Sequence, residues 1–181
     1  MTCIIGLERE GVLWIGGDSA AYREDEVNAR ADPKVWRSGK FIFGFSGSFR
    51  IGQLLRWGFK PPKNNRDSDI EYMVIDFVDA LKSLLEEKGA ASKSESGDSF
   101  DAEIIVGYKR RLYVIESDFN VSSRTDTYVS SGGGAPYALG AMWVLESQGT
   151  LPPDQVIEKA LSASAQYCPS VKVPFSIINS K

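Results

Sequence analysis

The sequence predicts an α+β protein whose sheets are mostly antiparallel. Two pairs of short apolar runs flank polar turns at residues 8–11 and 109–110, and each pair is typical of a β-hairpin. Other stretches carry apolar residues at helical spacing, so groups of strands alternate with helices. Two sheets between layers of helices would bury both kinds of apolar face, although periodicity alone does not separate this arrangement from other α+β folds.

The first third of the chain predicts three strands and one helix. Residues 2–7 and 12–15 make the first hairpin, and the apolar residues 40–45 make a third strand. Between them, residues 22–33 are charged and contain a proline, so a loop is expected. Residues 49–58 carry apolar side chains at helical spacing and predict a helix.

A longer helix is predicted after a polar connector. Ser68 and Glu71 have capping-box spacing, and the segment after them carries apolar residues three and four apart. This predicted buried face consists of Ile70, Val74, Phe77, Leu81 and Leu84. The helix is expected to end near Gly89, and residues 89–99, rich in small and charged side chains, are expected to form a mobile surface loop.

The second half of the chain predicts a hairpin, two helices and a closing strand. The hairpin pairs residues 103–108 with 111–115. A glycine-rich turn precedes a helix over 137–147, and two prolines open a last helix that runs to about Tyr167. Residues 173–178 predict the final strand.

Composition favours one globular domain over residues 1–181 and excludes several classes of function. Hydrophobic residues make up 43% and charged residues 25% of the chain, and the net charge of −3 gives no reason to expect nucleic acid or acidic lipid as a partner. Neither an 18-residue apolar window nor a signal-peptide pattern occurs. Two cysteines far apart indicate reduced thiols, so a cytoplasmic location is expected.

Histidine is absent from the sequence. This absence excludes Ser-His-Asp and Cys-His catalysis and histidine-ligated zinc sites. Any catalytic base must therefore be a carboxylate, a lysine, a tyrosine or an α-amino group. We expect neither a cofactor nor a metal ion.

The N-terminal residues carry a specific pattern of spacings. Thr2 opens the first strand, Asp18 follows sixteen residues later and Lys34 thirty-two residues later, and Gly47 lies in the turn after the third strand. If Met1 is discounted, this pattern resembles the front half of proteasome β-subunits and of HslV, the bacterial proteasome-like protease. The later glycine-rich turn and the last helix extend the resemblance over nearly the whole chain.

The resemblance implies a fold and a mechanism. The fold is the four-layer αββα sandwich of the N-terminal-nucleophile hydrolases, and the activity is that of a threonine peptidase in which Thr2 attacks a peptide carbonyl. Lys34 would lower the pKa values of the threonine hydroxyl and amine, Asp18 would orient Lys34, and the Gly47 N–H would stabilise the oxyanion. A terminal threonine supplies its own base, because a free α-amino group titrates at about pH 8.

Two later positions match the family less closely. The resemblance makes Ser131 the counterpart of a serine that hydrogen-bonds the threonine amine, although the extra glycines leave Gly133 as an alternative. Ser170 matches the serine of the family's Asp-x-x-Ser pattern, but Tyr167 stands where the aspartate is expected. Gln166 is a candidate substitute as a neutral hydrogen-bond partner.

The resemblance also sets conditions and partners. Activity needs a free amine on Thr2, so Met1 must be removed; threonine is small enough for ordinary methionine excision, and no propeptide is expected, as in HslV. Homo-oligomeric rings, often stacked in pairs, an ATPase unfoldase as partner, and unfolded protein or peptide as substrate are implied. Two other functions stay open: a catalytically inactive ring-forming subunit, and an amidase acting on a small amide. Trp57 and Trp143 are expected to be core or subunit-interface anchors.

Overall fold

The computed structural model describes residues 2–23, 26–94 and 97–181. In these residues the strands, in chain order, are β1 (Ile4–Arg9), β2 (Val12–Gly17), β3 (Ala20–Arg23), β4 (Glu26–Ala29), β5 (Val35–Ser38), β6 (Phe41–Gly47), β7 (Ser92–Ser94), β8 (Gly97–Ser99), β9 (Ala102–Tyr108), β10 (Arg111–Ile115), β11 (Val121–Ser122), β12 (Tyr128–Ser131) and β13 (Ser176–Asn179). The helices are α1 (Phe49–Gly58), α2 (Asp69–Glu71), α3 (Val78–Glu87), α4 (Ala135–Gln148) and α5 (Pro153–Tyr167), and a π-helical segment, Tyr72–Phe77, joins α2 to α3. Met1, and with it the question of its removal, lies outside the described residues.

Two antiparallel sheets form the centre of the fold. One has four strands in the order β12-β1-β2-β13, and the other has five strands in the order β11-β10-β9-β6-β5. The two predicted hairpins are confirmed as β1–β2 and β9–β10. The polar turns between their strands leave the apolar residues free to alternate between the two faces of each sheet.

Strand alternation divides the apolar residues among three layers of core. Ile4 and Ile15 of the four-stranded sheet meet Ile42 and Ile105 of the five-stranded sheet in the core between the sheets. Ile5, which points to the opposite face of β1 from Ile4, packs with α4 and α5. The outer face of the five-stranded sheet packs on α1, α3 and the π-helical segment. The result is the predicted αββα order of layers.

Two stretches that were predicted to be loops contain strands. β3 and β4 pair within residues 20–29, and β7 and β8 pair within residues 92–99. Residues 24–25 and 95–96 lie outside the described residues. Both hairpins are made largely of polar and small residues, so the alternation of apolar and polar side chains that marks a strand in sequence is missing.

The long helix after residue 68 differs from its prediction in which face is buried. Ile70 and Val74 are 42% and 47% exposed, whereas Met73 and Phe77 are fully buried. The π-helical segment explains the difference, because its wider turns insert a residue and rotate the face that precedes Phe77. The predicted capping box is also wrong, since Ser68 makes no side-chain bond to the helix.

Candidate active site

Thr2 lies just before β1, where the glycine-rich turn that precedes α4 wraps around its backbone. The Gly134 N–H donates to the Thr2 carbonyl oxygen at 3.0 Å. Gly132 has a φ of 91°, and a Cβ built on it would lie 2.3 Å from the same oxygen. Only glycine fits so close to the Thr2 carbonyl oxygen. The turn therefore holds Thr2 through contacts between backbone atoms.

Lys34 joins the hydroxyl of Thr2 to the carboxylate of Asp18. Its Nζ donates to Thr2 Oγ1 at 2.9 Å and to Asp18 Oδ1 at 2.8 Å. Asp18 follows β2 in the four-stranded sheet, and Lys34 precedes β5 in the five-stranded sheet. Packing of the two sheets therefore brings together the three residues that the spacing pattern singled out.

The carboxylate of Asp18 is held by the backbone as well as by Lys34. Oδ1 accepts from the Cys3 N–H at 3.0 Å, and Oδ2 accepts from the Ala20 N–H at 2.8 Å and the Lys172 N–H at 3.3 Å. These donors satisfy a side chain that has no exposure to solvent. Both oxygens of Asp18 are consequently held in place, and the side chain fixes the position of the Lys34 ammonium.

The charge of Lys34 is subject to two opposing effects. Burial lowers the pKa of Lys34 from its ordinary value, and the negative charge and hydrogen bond of Asp18 act in the opposite direction. The lysine side chain is 1% exposed, so its interactions are little screened by water. A cation held 2.9 Å from Thr2 Oγ1 favours the alkoxide form of that hydroxyl.

Gly47 ends β6 in a conformation that requires glycine. Its φ is 98°, and a Cβ at this position would lie 2.6 Å from the Asp101 carbonyl oxygen. A backbone turn without a side chain is what an oxyanion site needs beside a nucleophile. The role of the Gly47 N–H as oxyanion donor stays a prediction.

Ser131 belongs to a hydrogen-bonded chain that crosses from one sheet to the other. Its Oγ lies 2.6 Å from Ser46 Oγ, and it also donates to Glu103 Oε2. Ser131 is 1% exposed and is the residue immediately before Gly132. Its contact with the threonine amine, expected from the resemblance, stays a prediction, and so does the alternative that Gly133 takes that place.

The C-terminal candidates are divided between the interior and the surface. Ser170 is fully buried, and its Oγ lies 3.2 Å from Cys168 Sγ. Tyr167, in the position where the family has aspartate, is 69% exposed and stacks on Tyr137 with ring centroids 6.0 Å apart. Gln166 is exposed at the end of α5. A contribution of Ser170 to catalysis stays a prediction.

Two residues of this region, Ser46 and Glu103, were not predicted from the sequence. Glu103 lies on β9 opposite Ser46 of β6, two residues before the buried Ile105. The sequence feature that could have identified Glu103 is its place two residues from Ile105 in an apolar strand, because residues two apart on a strand share a face. Lys34 donates a hydrogen bond to the Thr2 hydroxyl and holds a cation beside it, an arrangement that suits nucleophilic attack on an acyl group.

Comparison with known proteins connects this chain to the HslV-like proteases. No family model matches the sequence. A curated relative, the ATP-dependent protease subunit HslV of Petrotoga mobilis, is 22% identical over 169 residues, which cover 92% of this chain and 90% of the relative. Thiobacillus denitrificans BPH, solved in complex with epoxomicin, matches with a TM-score of 0.81 at 19% identity and covers 98% of this chain and 97% of BPH. The resemblance to the HslV and proteasome β-subunit family is confirmed.

The HslV-like fold extends over the whole described chain and is not limited to the N-terminal pattern. HslV from Trypanosoma brucei matches with a TM-score of 0.70 at 17% identity, and the match covers 98% of both chains. Identities this low leave the fold as the shared property. In the described residues, no helix has the length and apolar character needed to cross a membrane.

Proposed function

We propose that this protein is a threonine peptidase of the HslV type whose nucleophile is Thr2 after Met1 has been removed. The observation that supports it is the buried contact chain from Thr2 Oγ1 through Lys34 Nζ to Asp18 Oδ1, with distances of 2.9 and 2.8 Å. These buried contacts would be of little use to a purely structural domain, because a buried ion pair seldom adds stability over apolar packing. A cation next to a hydroxyl instead serves nucleophilic catalysis.

The first half of the reaction forms an acyl-enzyme. The free α-amine of Thr2 takes the Oγ1 proton, and the oxygen attacks the carbonyl carbon of a peptide bond. The carbonyl electrons move to the oxygen, and the Gly47 N–H donates to the oxyanion. When the tetrahedral intermediate collapses, the C–N bond breaks, and the ammonium of Thr2 returns a proton to the leaving amine.

The second half releases the acyl group. The neutral amine of Thr2 takes a proton from water, and the resulting hydroxide attacks the ester carbon. The C–Oγ1 bond then breaks, Oγ1 recovers its proton from the ammonium of Thr2, and the product leaves as a carboxylic acid that ionises in water. Lys34 supports both halves because its positive charge stabilises negative charge that develops on Oγ1.

Assembly into homo-oligomeric rings is part of the proposal. Helix α4 is apolar on nearly all sides: Ala138 and Met142 face the core, while Trp143 is 68% exposed. A helix that is apolar all round is normally covered on every side, so we propose that a second copy of the chain covers the outer face of α4. Trp57 is 78% exposed, so a place in the core is excluded for both tryptophans.

An ATPase unfoldase and a cytoplasmic setting complete the proposal. The curated relative is named as a subunit of an ATP-dependent protease. A ring that encloses its active sites admits only unfolded chains, so a partner that unfolds proteins would supply the substrate.

Light scattering on the purified protein tests the assembly, and a monomer at micromolar concentration would contradict the enclosed chamber.

The decisive experiment combines intact mass with covalent labelling. We expect the mass of the purified protein to lack Met1, and an epoxyketone such as epoxomicin to add one molecule per chain at Thr2. Thr2→Ala should assemble as the wild type does but take up no label and cleave no peptide. Labelling that persists in Thr2→Ala would place the nucleophile elsewhere.

The outcomes also separate the alternatives. If processed wild-type protein neither labels nor cleaves any member of a peptide library, the peptidase proposal fails and an inactive ring-forming subunit is the remaining function. If it labels and hydrolyses small amides but no peptide, the amidase is favoured. Retention of Met1 would block the amine and would contradict activity at Thr2.

A further inference from the structure

A carboxylate, two hydroxyls and Thr2 occupy the same end of the space between the sheets. Ser131 of β12 pairs with Ile4 of β1, and both side chains therefore point to the same side. Ile4 belongs to the core between the sheets, and Thr2, two residues earlier, is 3% exposed and reaches Lys34 of the other sheet. The side chains of Thr2 and Ser131 therefore enter one space from the four-stranded sheet.

The five-stranded sheet contributes Ser46 and Glu103 from the opposite side. These two residues are paired across β6 and β9, and Glu103 shares its face of β9 with Ile105, which belongs to the core between the sheets. Ser46 Oγ and Ser131 Oγ are 2.6 Å apart, and Ser131 Oγ is hydrogen-bonded to Glu103 Oε2. The carboxylate at the edge of the core is thus connected to a buried hydroxyl beside Thr2.

The chemistry of these groups decides the direction of the hydrogen bonds. A carboxylate only accepts, whereas a hydroxyl donates one hydrogen and accepts at two lone pairs. Ser131 therefore gives its one proton to Glu103 and can only accept from its other neighbours, of which Ser46 is one. One lone pair of Ser131 Oγ is left for a further donor.

We propose that Glu103 is a positioning residue for the free amine of Thr2 and acts through Ser131. This inference rests on the proposed function, because the amine exists only after Met1 has been removed. With its proton held by Glu103, Ser131 accepts an N–H from the amine and leaves the nitrogen lone pair for the Thr2 hydroxyl. The negative charge of Glu103 also favours the ammonium form and sets the pH above which the base is available.

Other charged groups near the hydrogen-bonded residues Ser46, Ser131 and Glu103 define the controls. Lys34, Asp18 and Arg30 lie on the side of Thr2, and Asp101 and Glu116 lie beside Glu103 in a cavity of about 350 Å³. Glu116 carries the same charge as Glu103 in the same cavity, but its side chain hydrogen-bonds to Ser122 at 3.5 Å and not to Ser131. Glu116→Gln therefore removes a neighbouring charge and leaves the hydroxyl chain intact.

The test is the pH profile of kcat/KM for peptide cleavage by the processed full-length protein. In Glu103→Gln the acid limb should move to lower pH by roughly one unit, because a charge about two hydrogen bonds away no longer stabilises the ammonium. KM should stay unchanged. Glu103→Asp keeps the charge, so its acid limb should stay in place while its kcat falls. Glu116→Gln should shift the limb by much less than Glu103→Gln does.

A second readout separates this inference from the proposed function. The titration of the Thr2 amine, followed by NMR in protein labelled with [15N]threonine, should move to lower pH in Glu103→Gln even if no peptide is cleaved. That result with an inactive wild type would leave the positioning role standing and refute the peptidase. Two results would overturn the role of Glu103. One is an active enzyme in which Glu103→Gln leaves the titration of the Thr2 amine unchanged. The other is a Glu116→Gln variant that shifts this titration as much as Glu103→Gln does. If Glu103→Gln does not fold, an acid limb displaced in the folded Glu103→Asp variant would overturn it as well.

Discussion

Replacing Lys34 with methionine tests how strongly the buried ion pair is coupled to the fold. Methionine keeps most of the volume of lysine but removes the ammonium that lies 2.8 Å from Asp18 Oδ1. Because the Asp18 side chain has no solvent exposure, its charge stays buried without a counter-ion, which costs about 3–5 kcal/mol. Three backbone N–H groups still donate to this carboxylate, so we expect the lower end of that range, about 3 kcal/mol.

The measurement is the free energy of unfolding from urea titration at a fixed protomer concentration, since assembly also stabilises the folded chain. Lys82→Met is the matched control, because Lys82 pairs with Asp98 at 2.5 Å while both side chains are partly exposed, at 37% and 26%. Pairs of this kind contribute about 0–1 kcal/mol. Equal losses in Lys34→Met and Lys82→Met would refute the argument that the pair is desolvated and coupled to the fold.

Three further perturbations have defined outcomes. Gly47→Ala should lose roughly 2–3 kcal/mol of unfolding free energy, since the new Cβ combines a positive φ with a contact to the Asp101 carbonyl oxygen. The control Gly39→Ala has a positive φ but open space around the Cβ, and it should lose about 1 kcal/mol. Equal losses in the two variants would count against the contact at Gly47. Burial raises the pKa of Cys3 to about 11, so the folded state retains a proton that the unfolded state loses, and stability should fall by roughly 2–3 kcal/mol between pH 9 and 11. Unfolding of Cys3→Ala across that range should show a shallower fall, and an identical slope would contradict the assignment. Trp143→Glu should lower the mass measured by light scattering without changing the circular dichroism spectrum; an unchanged mass would exclude α4 from the subunit interface.

The sequence by itself determined the class of fold and indicated the residues of the candidate site. Two hairpins and two amphipathic helical segments were enough to indicate antiparallel sheets and helix layers, because local alternation reports which side of an element is buried. The intervals from Thr2 to Asp18 and Lys34 resemble those of the HslV and proteasome β-subunit family, and this resemblance singled out the three residues that the structure brings into contact.

Sequence patterns did not predict the local structure that depends on partners distant in the sequence. The polar hairpins β3–β4 and β7–β8 are formed by backbone pairing that leaves no apolar periodicity. The π-helical segment Tyr72–Phe77 moves Ile70 and Val74 from the expected core to the surface, and nothing in a 3.6-residue period anticipates an extra residue in a turn.

Only the tertiary structure decided which polar groups share the space between the sheets. Ser46, Glu103 and Ser131 are far apart in sequence, and their hydrogen bonds depend on the register of β6 with β9 and on the packing of one sheet against the other. The same packing buries Lys34 and Asp18 together, which turns two ordinary surface residue types into a desolvated pair beside Thr2. Spacing in a sequence can identify such residues, but desolvation and direction of hydrogen bonding arise only when the two sheets close over them.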